Sequence, residues 1–212
     1  MNVIGMKTTK TILFFIVILI GILTCIHPIF PRDQYLQHIG TILLLIPMVA
    51  DLRKSRMPMS AFIGIALFTL LHIIGARYVY SNVPYKEWSV SLGLVGADFF
   101  QDPRNHYDRF VHFSFGVLLF PFLVYLCKER LRQKPLIAIL IAWLVIQTGS
   151  MIYEMFEWLI TVVMSPATAD SYNGQQGDMW DAQKDMALAL IGSTIAALFY
   201  LFKYKLISSK QK

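Results

Sequence analysis

The chain has 212 residues, of which 56% are apolar and only 15% charged, with a mean hydropathy of +0.56. These values exclude an ordinary soluble domain and define an integral membrane protein. At about 20 residues per span there is room for several crossings and for no separate soluble domain, so one integral membrane domain is expected over 1–212. The net charge of +6 is too thinly spread for a nucleic-acid surface and reads as membrane topology plus contact with anionic lipid.

Apolar runs near 11–30, 36–51, 58–79, 110–127, 136–160 and 186–203 predict six spanning helices. The first follows Lys7 and Lys10 and precedes Cys25, an arrangement that mimics a secretory leader. Ile22, Leu23 and Thr24 are poor cleavage-site residues, so the run is read as a retained helix. The second is the least apolar and contains Pro47, tolerated in membrane helices where neighbours satisfy the freed carbonyl. In the third, His72 is read as a core imidazole bonded to a carbonyl or hydroxyl, with a proton-relay role as the alternative. The long connection 80–109 is rich in Val, Leu, Trp and Phe, which suits a segment lying along or dipping into the membrane and closing over whatever sits below it.

Lys and Arg fall unevenly on the two sides of this path. Thirteen lie with the two termini and six on the other side, so the positive-inside rule places both ends in the cytoplasm. The acids divide the opposite way, with 11 of 13 at or beyond the outer surface. Asp33, Glu87 and Asp170 are read as ordinary loop acids. Cys25 and Cys127 end near opposite faces, cannot meet in a disulfide, and are read as packing residues, while His27 and His38 are read as interfacial.

The remaining acids gather in three strings: "NHYDRFVHF" at 105–113, "YEMFEWL" at 153–159 and "GDMWDAQKD" at 177–185. A rise of 1.5 Å per residue brings all three to one depth, near the outer boundary of the hydrocarbon. Helical spacing aligns Asp108, His112 and Gly116; it also aligns Gln147, Ser150, Glu154, Glu157 and Thr161 as a stripe facing the bundle interior. On the last helix Asp178, Asp181 and Asp185 continue into Ala189, Gly192 and Ala196, carboxylates above small residues that permit close packing.

Six carboxylates, Asp108, Glu154, Glu157, Asp178, Asp181 and Asp185, with His112 beside them, form a donor set suited to Mg²⁺, Mn²⁺ or Ca²⁺, or to Zn²⁺ if the imidazole joins. Such an ion could activate water against a lipid phosphate or headgroup of the outer leaflet. Arg104 and Arg109 would clamp the phosphate, and His112, Glu154 and Asp181 would be the catalytic candidates. A structural network is the second reading, with Arg77, Arg104, Arg109 and Lys184 neutralising the acids. Small-scale transport along the α-helical stripe, with His72 as relay, is the third. There is no HExxH, nucleophile elbow or phosphate-cradling Gly loop.

The strings "RNHYDRFVHFSFG", "YEMFEW" and "GDMWDAQKDM" resemble the YjdF family of bacterial inner-membrane proteins over most of the chain. The resemblance implies fold and inner-membrane location and carries no reaction. A looser similarity runs to VanZ-like membrane proteins, through Asp108-Arg109-x-x-His112, Glu154, and Asp181-x-x-x-Asp185 before Gly192. Their pattern has Lys and Asn where Arg109 and Asp185 stand, so this site is the more acidic.

Overall fold

The computed structural model describes residues 3–163 and 175–209. Asp170, Lys210, Lys212 and most of the stretch 165–177 lie outside the described residues. The described residues are all-α: α1 (Val3–Thr24), α2 (Pro31–Lys54), α3 (Met59–Tyr78), α4 (Tyr85–Ser91), α5 (Tyr107–Leu118), α6 (Phe120–Glu129), α7 (Pro135–Val163) and α8 (Asp181–Ser209), with a 3₁₀ turn over Ala97–Phe99. Six segments are long and apolar enough to cross a membrane: Gly5–Thr24, Pro31–Lys54, Met59–Tyr78, Tyr107–Glu129, Pro135–Val163 and Asp181–Leu206.

The differences from the expected spans have local causes. α2 begins at Pro31, whose fixed φ and missing N–H suit a first turn, and its polar early turns are stable because Gln34, Gln37 and Thr41 are buried. The fourth span breaks into α5 and α6 at Leu119, because Pro121 cannot donate to the carbonyl four residues back. Gly64 of α3 packs so closely on this break that a Cβ there would overlap the Leu118 carbonyl.

α3 forms the spine, packing on α1, α2, α5 and α6, while α8 packs on α5 and α7. The closest seam joins α5 to α8. A Cβ on Gly116 would collide with the backbone of Ala189 and Ser193, and one on Gly192 with the Phe113 carbonyl. Only hydrogen atoms fit there, which brings the two backbones close enough to set acids from both helices against each other.

At the end holding the termini, Lys10 of α1 is fully buried. It donates to Asp51 Oδ2 at 2.6 Å and to the Met57 carbonyl at 2.6 Å, and it lies 5.6 Å from the Phe62 ring centroid. Asp51 Oδ1 accepts the Met57 N–H at 2.7 Å. One ion pair thus ties α1, α2 and the start of α3.

Candidate functional site

The opposite end of the bundle gathers the three polar strings. Asn105 starts α5, accepting the Tyr107 N–H at 3.0 Å and donating to the Val83 carbonyl at 2.8 Å. Gln176 pairs with the Asn105 backbone in both directions, at 2.8 and 2.9 Å. The segment before α8 is thereby fastened to the segment before α5, and the acids of "GDMWDAQKD" are fixed above those of "NHYDRFVHF".

The acids separate into two layers. In the outer layer Arg104 pairs with Asp181 Oδ1 and donates to the Gln175 carbonyl at 2.6 Å. Arg109 contacts Asp178 Oδ2 at 2.5 Å and Asp181 Oδ1 at 3.2 Å, and Lys184 reaches Asp178 Oδ2 at 2.6 Å. The second oxygen of Asp178 accepts the Trp180 N–H at 3.1 Å, so this acid also stabilises the start of α8. Asp178 and Asp181 therefore hold cations of the protein itself.

The Lys184 ammonium, the Trp180 N–H and the Arg109 guanidinium hold the Asp178 carboxyl well below the usual carboxylate range. A depressed folded-state pKa contributes stability above the unfolded value of about 4 and loses it as pH falls toward the folded value. The difference in melting temperature between wild type and Asp178→Asn is expected to be largest at neutral pH and to shrink in strong acid. Melts across that range check it.

The inner layer is different. Asp108 and His112 on α5, Glu154 on α7 and Asp185 on α8 are each at most 7% exposed. Asp108, His112 and Asp185 offer donor atoms that all lie within 4.8 Å of one another. His112 Nε2 is 3.7 Å from Asp108 Oδ1 and 3.3 Å from Glu154 Oε1, and the Tyr153 ring stands edge-on to the imidazole with centroids 5.8 Å apart. Asp185 Oδ1 and Glu154 Oε1 are buried with no hydrogen-bond partner among the described residues. Carboxylate oxygens in that state cost free energy unless a proton or cation occupies the space between them.

The expected residues are thus distributed as follows. Asp108, His112, Glu154 and Asp185 converge, and Glu157 sits half-buried one turn beyond Glu154. Arg104, Arg109 and Lys184 join the outer ion pairs. Arg77 goes elsewhere: it donates to the Thr24 carbonyl at 2.5 Å and the Ile26 carbonyl at 3.4 Å, closing the end of α1 instead of neutralising the acids. The stripe on α7 is buried at Ser150 and Glu154, but Thr161 is exposed.

Two further polar groups lie at this end, and the first is the core imidazole expected at His72, bonded to a carbonyl and a hydroxyl. His72 Nε2 lies 2.9 Å from the Gln37 carbonyl and Nδ1 lies 2.5 Å from the Tyr80 hydroxyl. The carbonyl can only accept, so Nε2 carries the proton and Nδ1 accepts from Tyr80. Tyr80 reaches it through left-handed backbone at Val79 (φ 50°) and Tyr80 (φ 51°), a strained geometry for a β-branched residue. Cys25 Sγ lies 3.4 Å from His38 Nε2, and His38 Nδ1 is 3.0 Å from Thr41 Oγ1, so the thiol expected only to pack also has a polar neighbour.

A six-span helical bundle with a buried acidic and imidazole group at one end places the molecule among polytopic membrane proteins that carry ionisable side chains within the bundle. The chain belongs to the family described as predicted membrane protein (DUF2238), whose model matches residues 9–205. It is similar to inner membrane protein YjdF of Escherichia coli (strain K12), with 29% identity over 176 residues that cover 78% of this chain and 76% of that protein. No solved structure matches.

Proposed function

We propose that the protein spans the bacterial inner membrane with both termini cytoplasmic, and that its inner acidic group binds a divalent cation used on phosphate-bearing lipid headgroups of the outer leaflet. The name of the similar protein and the uneven distribution of Lys and Arg support the placement. The cation rests on one observation: donors from Asp108, His112 and Asp185 converge within 4.8 Å, beside two buried carboxylate oxygens that pair with no Lys or Arg among the described residues.

An imidazole among carboxylates favours Zn²⁺ or Mn²⁺ over Ca²⁺ or Mg²⁺. With His112 Nε2 committed to the ion, proton transfer passes to Glu154, whose Oε1 lies 3.3 Å from that nitrogen. Arg104 and Arg109 stand above the inner acids with their outer nitrogens on Asp178 and Asp181, and each Nε–H is buried without a partner among the described residues. A phosphate oxygen would take its donors from these guanidinium groups by displacing one of the carboxylates. The reaction in this reading is metal-assisted hydrolysis or transfer at the headgroup.

Purified protein is expected to retain a divalent ion stoichiometrically and to melt higher when Zn²⁺ or Mn²⁺ is added, by about 2.7 kcal/mol at a hundredfold excess over Kd. Asp185→Asn should lose both the ion and the shift while keeping its own fold. Elemental analysis and ion-dependent melts of the two proteins decide. An ion-free wild type that no divalent salt stabilises sinks the proposal and leaves a structural network.

A further inference from the structure

A cavity of about 270 Å³ descends from the inner acids into the membrane-spanning part of the bundle. Asp108, His112, His72 and Tyr80 border its upper end and Phe68, Phe115 and Leu119 its lower part, and the surface it presents is almost wholly apolar. From Asp108 to Leu119 it follows α5 for about 16 Å at 1.5 Å per residue, so its mean cross-section is roughly 17 Å². That is the girth of one alkyl chain. An apolar cavity of about 150 Å³ already stays dry and takes up small hydrocarbons, so water is a poor occupant of the lower part.

The side wall identifies where an occupant enters. α2 borders the cavity through Gly40, Leu43 and Leu44, and α7 borders it through Gly149, Ser150 and Tyr153. α2 takes its packing from α1 and α3, and Leu43 is 61% exposed although it lines the cavity. Ile39 and Ile46, one turn either side of Leu43 on α2, and Met151, Ile152 and Met155 on α7 are exposed apolar side chains within candidate spans. The medium at the gap is therefore hydrocarbon. Ser150 is 3% exposed, lines the cavity one turn below Glu154, and its hydroxyl has no partner among the described residues.

We infer that the cavity takes one acyl chain of a membrane lipid, entering sideways between α2 and α7, with its ester linkage at Ser150 and its headgroup at Asp108 and His112. This rests on the reading of the acidic group as a site for lipid headgroups, and it narrows the substrate to lipids whose ester-linked chain can leave the bilayer. The apolar wall suits an alkyl chain, and Asp108 and His112 at one end mark where the headgroup would lie. An unpaired buried hydroxyl at the junction supplies the donor that an ester carbonyl accepts.

The test uses the full chain in phospholipid nanodiscs containing a small fraction of phosphatidylglycerol with a diazirine at the end of one acyl chain. Light should concentrate the label on α5 and α3 residues of the lower cavity, Phe115 and Phe68 among them. Leu43→Trp sits on an exposed position, so it leaves folding intact while narrowing the gap. It should reduce cavity labelling about tenfold, equivalent to ~1.4 kcal/mol of binding, with the cation-dependent melting shift unchanged. Asp185→Asn should do the reverse, losing the cation shift and keeping the label. Label spread evenly over lipid-facing residues of all spans, or undiminished in Leu43→Trp, would overturn the inference whether or not an ion binds.

Discussion

Lys10→Met is expected to destabilise the protein by about 3–5 kcal/mol, because it leaves Asp51 as a buried charge without its partner. The ammonium and carboxylate are 0% and 5% exposed, so neither solvent nor salt can screen the loss. The Met57 carbonyl also loses a donor. Adding Asp51→Asn to Lys10→Met removes the orphaned charge while an amide oxygen still accepts the Met57 N–H, so the double variant should recover much of the loss. Unfolding titrations in mixed micelles measure each variant, and the coupling across the cycle should be large and of recovering sign. Singles that cost no more than a surface ion pair, below about 1 kcal/mol, would contradict the burial of this pair.

Gly192→Leu is expected to have the second large effect, because the added carbons meet the Phe113 carbonyl and Val117 side chain of α5. Backbone cannot step aside as a flexible side chain does, so the cost should reach or exceed the ~1–3 kcal/mol usual for overpacking. The more telling consequence is at the site. Asp185 stands two turns above Gly192 and Asp108 two turns above Gly116, so parting the helices parts the acids. Melting temperature and the cation-dependent shift should fall together in Gly192→Leu. Gly96→Ala, with nothing within 4 Å of the added carbon, should change neither.

The spans and the convergence of the three polar strings were legible because they depend on regular quantities, 1.5 Å per residue and a repeat of 3.6. Small residues below Asp185 also announced the seam, since Ala189, Gly192 and Ala196 share a face. What could not be read was the choice of partner within the gathered charges. Arg104 lies outside any helix and reaches Asp181 only because Asn105 and Gln176 fasten two loops together. Arg77 was expected on the acids and instead donates to carbonyls at the end of α1, a long-range choice that no local pattern marks. Lys10 and Asp51 are 41 residues apart and each resembles an ordinary charge beside a span, so nothing local marked them as a pair. The break at Leu119 did carry a signal, Pro121, which a purely compositional scan of hydropathy passes over.

The outer ion-pair layer has a consequence for encounter. Arg104, Arg109 and Lys184 face two carboxylates, Asp178 and Asp181, so the threshold of the site carries a surplus of positive charge above a negative interior. Close to the surface such a threshold draws anions, which favours a cation that arrives already complexed by an anionic group. The attraction fades as ionic strength rises and the Debye length contracts from ~10 Å at 0.1 M toward ~3 Å at 1 M, so capture kinetics here should slow with added salt even where final occupancy does not change.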